Sequence, residues 1–207
     1  MLVTQDEGDV LFSQFYIICR DGLDIDQNYA GTITNAFVIQ SGATKGDNAL
    51  EIDGPEGTLN EGFFTIDGIT LIDEDGGADT GGDLKSLTQG TINNASWRGF
   101  TDNVKIRHSC AHDCSTAKAD SYQNYVDGKL KITNSEWVGQ AALTDWTTVY
   151  GDKDCPDNGA CTITKEQQIA ISDLLAIDGN VISATPTLGA DPTPFAGWSW
   201  AALNNKL

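Results

Sequence analysis

Three segments of the chain echo one another: Gly31-Thr32-Ile33-Thr34-Asn35-Ala36, Gly90-Thr91-Ile92-Asn93-Asn94-Ala95 and Leu130-Lys131-Ile132-Thr133-Asn134-Ser135. In each, an Ile is followed two places later by an Asn and then by a small residue. A second echo relates Gly22-Leu23-Asp24-Ile25-Asp26 to Ala49-Leu50-Glu51-Ile52-Asp53. A unit this short, built of strands and turns, cannot bury its own apolar face, so such units stack and share a core. The expected architecture is all-β: a right-handed parallel β-helix (β-solenoid) with a short C-terminal helix and a wrapping tail as its cap. Residues 1–162 are expected to form the rungs of one domain, and residues 163–207 the helix and capping tail.

Strand signals run from Val10 to Cys19, Thr32 to Gln40, Phe63 to Ile72, Thr91 to Phe100, Val104 to His108 and Lys129 to Val138, separated by Gly, Asp and Asn clusters. The repeated Asn suits a turn, because its amide satisfies local backbone groups and it tolerates a left-handed conformation. Stacked, these amides would form an internal ladder. Thr164-Lys165-Glu166-Gln167 is a capping-box pattern, Ile171, Leu174 and Leu175 follow at helical spacing, and Gly179 can end the helix. Beyond it, Pro186, Pro192 and Pro194 oppose regular structure while Phe195, Trp198, Trp200 and Leu203 offer apolar surface, so this tail is expected to wrap back and cover an open end.

The balance of 30 acidic against 12 basic residues in 207 gives a formal charge of −18. Such a chain repels phosphate backbones and anionic membranes, so nucleic acid is not an expected partner. No apolar stretch approaches the roughly 20 residues that span a bilayer. The first residues, Met1 to Glu7, lack the basic and apolar regions of an export signal. Cysteine usage nevertheless points to an oxidising, extracellular or outer-surface location: Cys110 with Cys114, and Cys155 with Cys161, each close a short polar loop and read as two local disulfides. The competing reading of the first pair is zinc held by His108, Cys110, His112 and Cys114, whose spacing matches none of the common zinc patterns. Cys19, after Phe15-Tyr16-Ile17-Ile18, reads as a buried thiol.

The stretch Asp21-Gly22-Leu23-Asp24-Ile25-Asp26-Gln27-Asn28-Tyr29-Ala30-Gly31-Thr32-Ile33, followed by Gly46-Asp47-Asn48-Ala49-Leu50-Glu51-Ile52-Asp53-Gly54, resembles a pattern in secreted proteins and lipoproteins of marine Proteobacteria and Bacteroidetes. There an Asp-rich "DxxDxDxGYxG" rung precedes a "GDxxxExDG" rung within a right-handed parallel β-helix. The resemblance covers roughly residues 18–57, with a weaker echo at Phe195 to Trp200. It implies fold and export and carries no assigned activity. Asn28 stands where the pattern has Gly, and the long N-terminal half that precedes these rungs in the family is not present before them.

Chemistry is concentrated in the acidic clusters. Asp24, Asp26, Glu51 and Asp53 occupy equivalent places in the echoed rungs, and stacking about 4.8 Å apart would bring their carboxylates into register. A calcium ion at this ladder would offset that repulsion; the alternative is a set of solvated acidic turns that bind no ion. A second calcium candidate is the loop holding Asp73, Asp75 and Asp79, which resembles half a calcium loop but lacks the closing Glu and flanking helices of an EF-hand. The expected function is a secreted bacterial surface protein acting as a structural, self-assembling or binding module. Its assembly edge would carry Phe12 and Phe15, covered by a second copy or by a separate N-terminal half. The alternative is a carbohydrate-active β-helix that binds or cleaves an anionic polysaccharide, with Lys105 or Arg107 on a uronate and a groove lined by Trp97, Trp137 or Tyr122. Two histidines, both in the cysteine loop, make a Ser-His-Asp or Cys-His site a poor fit.

Overall fold

Ile and Leu alternate with Thr, Asp and Asn along the strands, which gives each strand one apolar and one polar face. The computed structural model describes residues 2–3, 10–11, 14–17, 21–26, 29–41, 47–55, 62–76, 80–101, 104–108, 121–139, 147–151 and 176–207, with 2–17 and 147–151 given as backbone course. A six-stranded sheet runs in the order β1 (Leu2–Val3), β4 (Leu23–Ile25), β6 (Leu50–Asp53), β8 (Gly82–Lys85), β10 (Val104–His108) and β13 (Thr147–Gly151). An eight-stranded sheet runs in the order β14 (Val181–Ser183), β12 (Glu136–Val138), β9 (Gly90–Arg98), β7 (Phe64–Asp73), β5 (Thr32–Gln40) and β2 (Val10–Leu11), with β11 (Leu130–Thr133) beside β9 and β3 (Gln14–Ile17) beside β5. All these pairings are parallel. Short helices accompany the sheets: α1 (Ser121–Val126), a 3-10 turn at Thr193–Phe195 and α2 (Trp200–Leu203).

Register turns the apolar residues into columns. In the six-stranded sheet Ile25, Ile52, Leu84 and Ile106 are neighbours. In the eight-stranded sheet the columns are Ile33, Ile66, Ile92 and Ile132, then Val38, Leu71, Trp97 and Trp137. All are buried in one contiguous cluster that joins the two sheets. Each such side chain contributes about 1.5–3 kcal/mol of burial energy, so the columns supply the main driving force. Trp97 and Trp137 stack at 6.4 Å between centroids, and Trp97 Nε1 donates to the Gly81 carbonyl at 2.8 Å. Gly81 is required there: a Cβ would meet Trp137 at 2.7 Å and Trp97 at 3.0 Å.

The repeated Asn occupies a left-handed corner that splits each long strand in two. Asn35, Asn94 and Asn134 have φ of 57°, 52° and 46°, and Gly68, level with the first two by register, has φ of 74°. Asn and Gly are the residues that reach this region at low cost. The fourth member of the repeat is therefore Phe64-Thr65-Ile66-Asp67-Gly68-Ile69, with Gly in place of Asn.

Two architectural expectations are corrected. The all-β right-handed parallel β-helix is replaced by two parallel sheets accompanied by short helices, an α/β-like arrangement in which no solenoid is defined among the described residues. The physical reason is uneven spacing: paired positions step from Leu23 to Leu50 but from Val104 to Thr147, and α1 is inserted within the longer step. The tail does not simply plug an end. Only β14 extends the sheet, and residues 187–195 then lie across the outer face of the eight-stranded sheet. Of the helix expected from Thr164, only residues 176–178 fall within the described residues; Ala176 and Ile177 are helical, Asp178 begins a turn, and Gly179 follows at φ 79°.

Candidate functional site: two outer sheet faces

The outer face of the six-stranded sheet is a charged wall. Asp24, Glu51, Asp83 and Lys105 form one column, and Asp53 stands beside Lys85 in the next. The ladder of carboxylates is thus brought together as far as Asp24, Glu51 and Asp53, but basic side chains are interleaved with it. The Lys85 Nζ donates to Glu51 and lies 3.4 Å from Asp53. Arg107 grips Asp83 with both arms, Nε to Oδ1 at 2.7 Å and Nη2 to Oδ2 at 2.5 Å. Bidentate pairing of this kind fixes geometry as well as charge. The sequence reasoning missed Asp83 and Lys85 as ladder members because Gly82-Asp83-Leu84-Lys85 carries only half of the echo.

The acidic end of this wall keeps residual repulsion. Burial raises the Asp24 carboxyl to about 6, helped by Asp26, Asp21 and Asp53. Asp26 is raised by burial and by Asp53. Glu51 is pushed up to about 7, first by burial and then by Asp21, against the pull of Lys85. Asp21 is held low by hydrogen bonds from Asn48, whose backbone N–H and side-chain amide both donate to Oδ1 at 3.0 Å, even though burial opposes this. Carboxylate oxygens of Asp21, Asp47 and Glu51 lie within 4.8 Å of one another. Asp21 and Asp47 both lie in the Asp-rich segments at residues 21–33 and 46–54, which is the signal by which they were legible. Asp73 and Asp75 form a local turn, the Asp75 N–H donating to Asp73 Oδ1 at 3.3 Å.

The outer face of the eight-stranded sheet is different in kind. Its second half lies under the tail. Asn35 donates to the Asp191 carbonyl at 3.1 Å and accepts from its N–H at 2.5 Å; Asn94 makes the same reciprocal pair with Gly189, both at 3.0 Å. The expected internal ladder of amides is therefore corrected: Asn35 and Asn94 face outward and clasp the tail. Glu136, fully buried, accepts from Ser96 Oγ at 2.7 Å, Thr187 Oγ1 at 2.9 Å, and the N–H groups of Thr187 and Leu188 at 2.9 and 3.0 Å, which hold its carboxyl below the ordinary range against burial. Phe37 packs edge-on against Phe195 at 5.0 Å. A cavity of about 510 Å³ opens between tail and sheet, lined in part by Thr34, Asp67, Asn94 and Arg98.

Other expected site residues fall elsewhere. Trp97 and Trp137 are core, and Tyr122 is 8% exposed against His108, so none of them lines a sugar groove. Asp79, Cys19, Cys110, Cys114, Cys155, Cys161 and Phe12 lie outside the described residues, as does the side chain of Phe15. Among the described residues no helix is long and apolar enough to cross a membrane.

Comparison with protein-family models, with curated proteins and with solved structures finds no match for this chain. None of these comparisons bears on the motif resemblance at residues 21–33 and 46–54.

Proposed function

We propose that the chain is an exported structural module that associates with further copies of itself through the ends of its parallel sheets. The observation that carries this reading is β14, the last strand of the eight-stranded sheet, where Val181 is 45% and Ile182 38% exposed. An apolar terminal strand is a ready template for another strand. Among the described residues the opposite end of that sheet is β2. Because all pairings are parallel, a β14 edge meeting a β2 edge would continue the sheet head to tail, a heterologous contact that extends rather than closes. Export is supported by the close sequence spacing of Cys110 with Cys114 and of Cys155 with Cys161, which suits local disulfides.

Light scattering across a concentration series tests the reading. Mass is expected to rise with concentration in the wild type and to stay at one chain in an Ile182→Lys variant of unchanged melting temperature. A wild-type protein that remains monomeric and monodisperse at high concentration refutes it.

A further inference from the structure

The first half of the eight-stranded sheet's outer face is built differently from the other sheet faces among the described residues, and the geometry points to a binding site there for a neutral polysaccharide. Register places Thr32, Thr65 and Thr91 side by side in one row and Thr34, Asp67 and Asn93 in the next. Rows are about 4.8 Å apart between strands and roughly 6.7 Å apart along them, so the face is a flat grid of oxygen and amide groups. Thr65, Thr91 and Thr34 are half-buried and their hydroxyls make no hydrogen bond among the described residues. Left unused by the fold, they can each donate and accept.

The charged member of the grid is held in advance. Asn93 donates to Asp67 Oδ1 at 2.7 Å while its own carbonyl accepts from Thr133 Oγ1 at 2.9 Å and from the Asn134 amide at 3.0 Å. These bonds orient Asp67, an exposed residue whose Oδ2 has no hydrogen bond among the described residues. On the same strand face, just before β7, stands Phe63, 48% exposed. An exposed ring next to hydroxyl, amide and carboxylate groups suits a pyranose, whose C–H face lies on the aromatic ring while its hydroxyls meet the polar groups. The face also runs into the 510 Å³ cavity beneath the tail, where Arg98 uses Nε on Ser96 and Nη2 on the Leu188 carbonyl and keeps Nη1 for a ligand.

Charge selects among polysaccharides. With a formal charge of −18 the protein disfavours anionic polymers, and Asp67 is at the centre of the face. A neutral glycan meets no such repulsion. This inference is independent of self-association, since it uses the sheet face and not its ends.

Affinity electrophoresis of the full chain in gels containing laminarin, galactomannan or alginate, with a pull-down on microcrystalline cellulose, tests it. At least one of the three neutral glycans is expected to retain the wild type. Phe63→Ala and Asp67→Ala should each weaken that retention by about tenfold or more at unchanged melting temperature, and Thr65→Val with Thr91→Val should do so without removing any bond of the fold. Lys105→Ala, on the other sheet, should bind as the wild type does. The inference is overturned by no retention on any neutral glycan, by retention on alginate alone, or by retention that these face variants leave unchanged. Inhibition of ice recrystallisation without glycan retention would also overturn it, assigning the grid to an ice surface.

Discussion

Replacing Glu136 by Leu is expected to free the tail. The carboxylate is fully buried and accepts from one hydroxyl on the sheet, Ser96, and from one hydroxyl and two backbone N–H groups on the tail. Removing it leaves those four donors without their acceptor, and each buried donor so orphaned costs about 1–3 kcal/mol. Arg98, whose guanidinium sits in the Glu136 field, loses its nearby counter-charge as well. Partial rehydration of the tail donors lowers the sum, because Thr187 and Leu188 can reach water by lifting off the sheet. The net cost is therefore placed at about 3–5 kcal/mol, the range for breaking a buried charged network from one side. In a chain of 207 residues this corresponds to a melting point lower by roughly 10 °C. Hydrogen exchange should show where the loss falls: amides of residues 187–191 lose protection first, while the Ile columns of the core keep theirs. A loss below about 1 kcal/mol, or unchanged protection at Thr187 and Leu188, would refute the assignment of Glu136 as the clasp.

Acidity should act with opposite signs on two sets of carboxylates, Glu51 with Asp24 and Glu136 with Asp21. Glu51 and Asp24 have folded-state pKa values raised to about 7 and about 6, so the native state binds protons more tightly than the unfolded chain and stability rises as pH falls from about 8 to about 5. With exposure and the Lys85 pairing discounted, the gain is about 2 kcal/mol, and Glu51→Gln should remove about half of it, the rest staying with Asp24. Glu136 and Asp21 are lowered, and their contribution is lost as pH falls further, below about 4. Urea melts at successive pH values should therefore peak on the acid side of neutrality; stability that rises steadily from pH 5 to 8 contradicts this. If the Asp21, Asp47 and Glu51 cluster binds calcium, the ion would relieve the same repulsion and melts with calcium and with chelator at pH 8 should lie several degrees apart, roughly 2.7 kcal/mol at 100 times the dissociation constant. Equal melts at matched ionic strength leave Lys85 and protons as the sole compensation.

Strand positions were legible where apolar alternation was long. Thr32–Gln40 and Val104–His108 fall as the alternation dictates, because Ile33 or Ile106 can face only one way once the core side is chosen. Gly82–Lys85 was hidden because its inward positions include a glycine, and α1 because Ser121 to Val126 is one short turn anchored by contacts made elsewhere, Thr88 N–H to Ser121 Oγ and the Asn124 amide to the Leu87 and Thr88 carbonyls. The left-handed conformation of Asn35, Asn94 and Asn134 was readable from residue type. The direction of their amides was not, since it depends on a tail that meets Asn35 from 156 positions away. For the same reason the carboxylate ladder was correctly aligned at Asp24 and Glu51, while the cations that interleave with it lay in strands that carried no clear echo.

The contrast between the two outer faces is what directs function to one of them. On the six-stranded sheet, Lys85 and Arg107 take up Glu51, Asp53 and Asp83, so most of its hydrogen-bonding capacity is spent within the molecule. On the eight-stranded sheet the second half is spent likewise, on the tail. Among the described residues, only the first half combines a rigid frame, fixed by the buried Ile33, Ile66, Ile92 and Ile132 column beneath it, with hydroxyls that the described fold does not use. A folded chain gains nothing in stability from leaving Thr65, Thr91 and Thr34 without protein partners, and strand propensity alone would be met as well by Val at these positions. A rigid grid of unspent donors and acceptors beside the exposed ring of Phe63 is the surface on which a ligand's hydroxyl groups would find the partners that the protein itself does not supply.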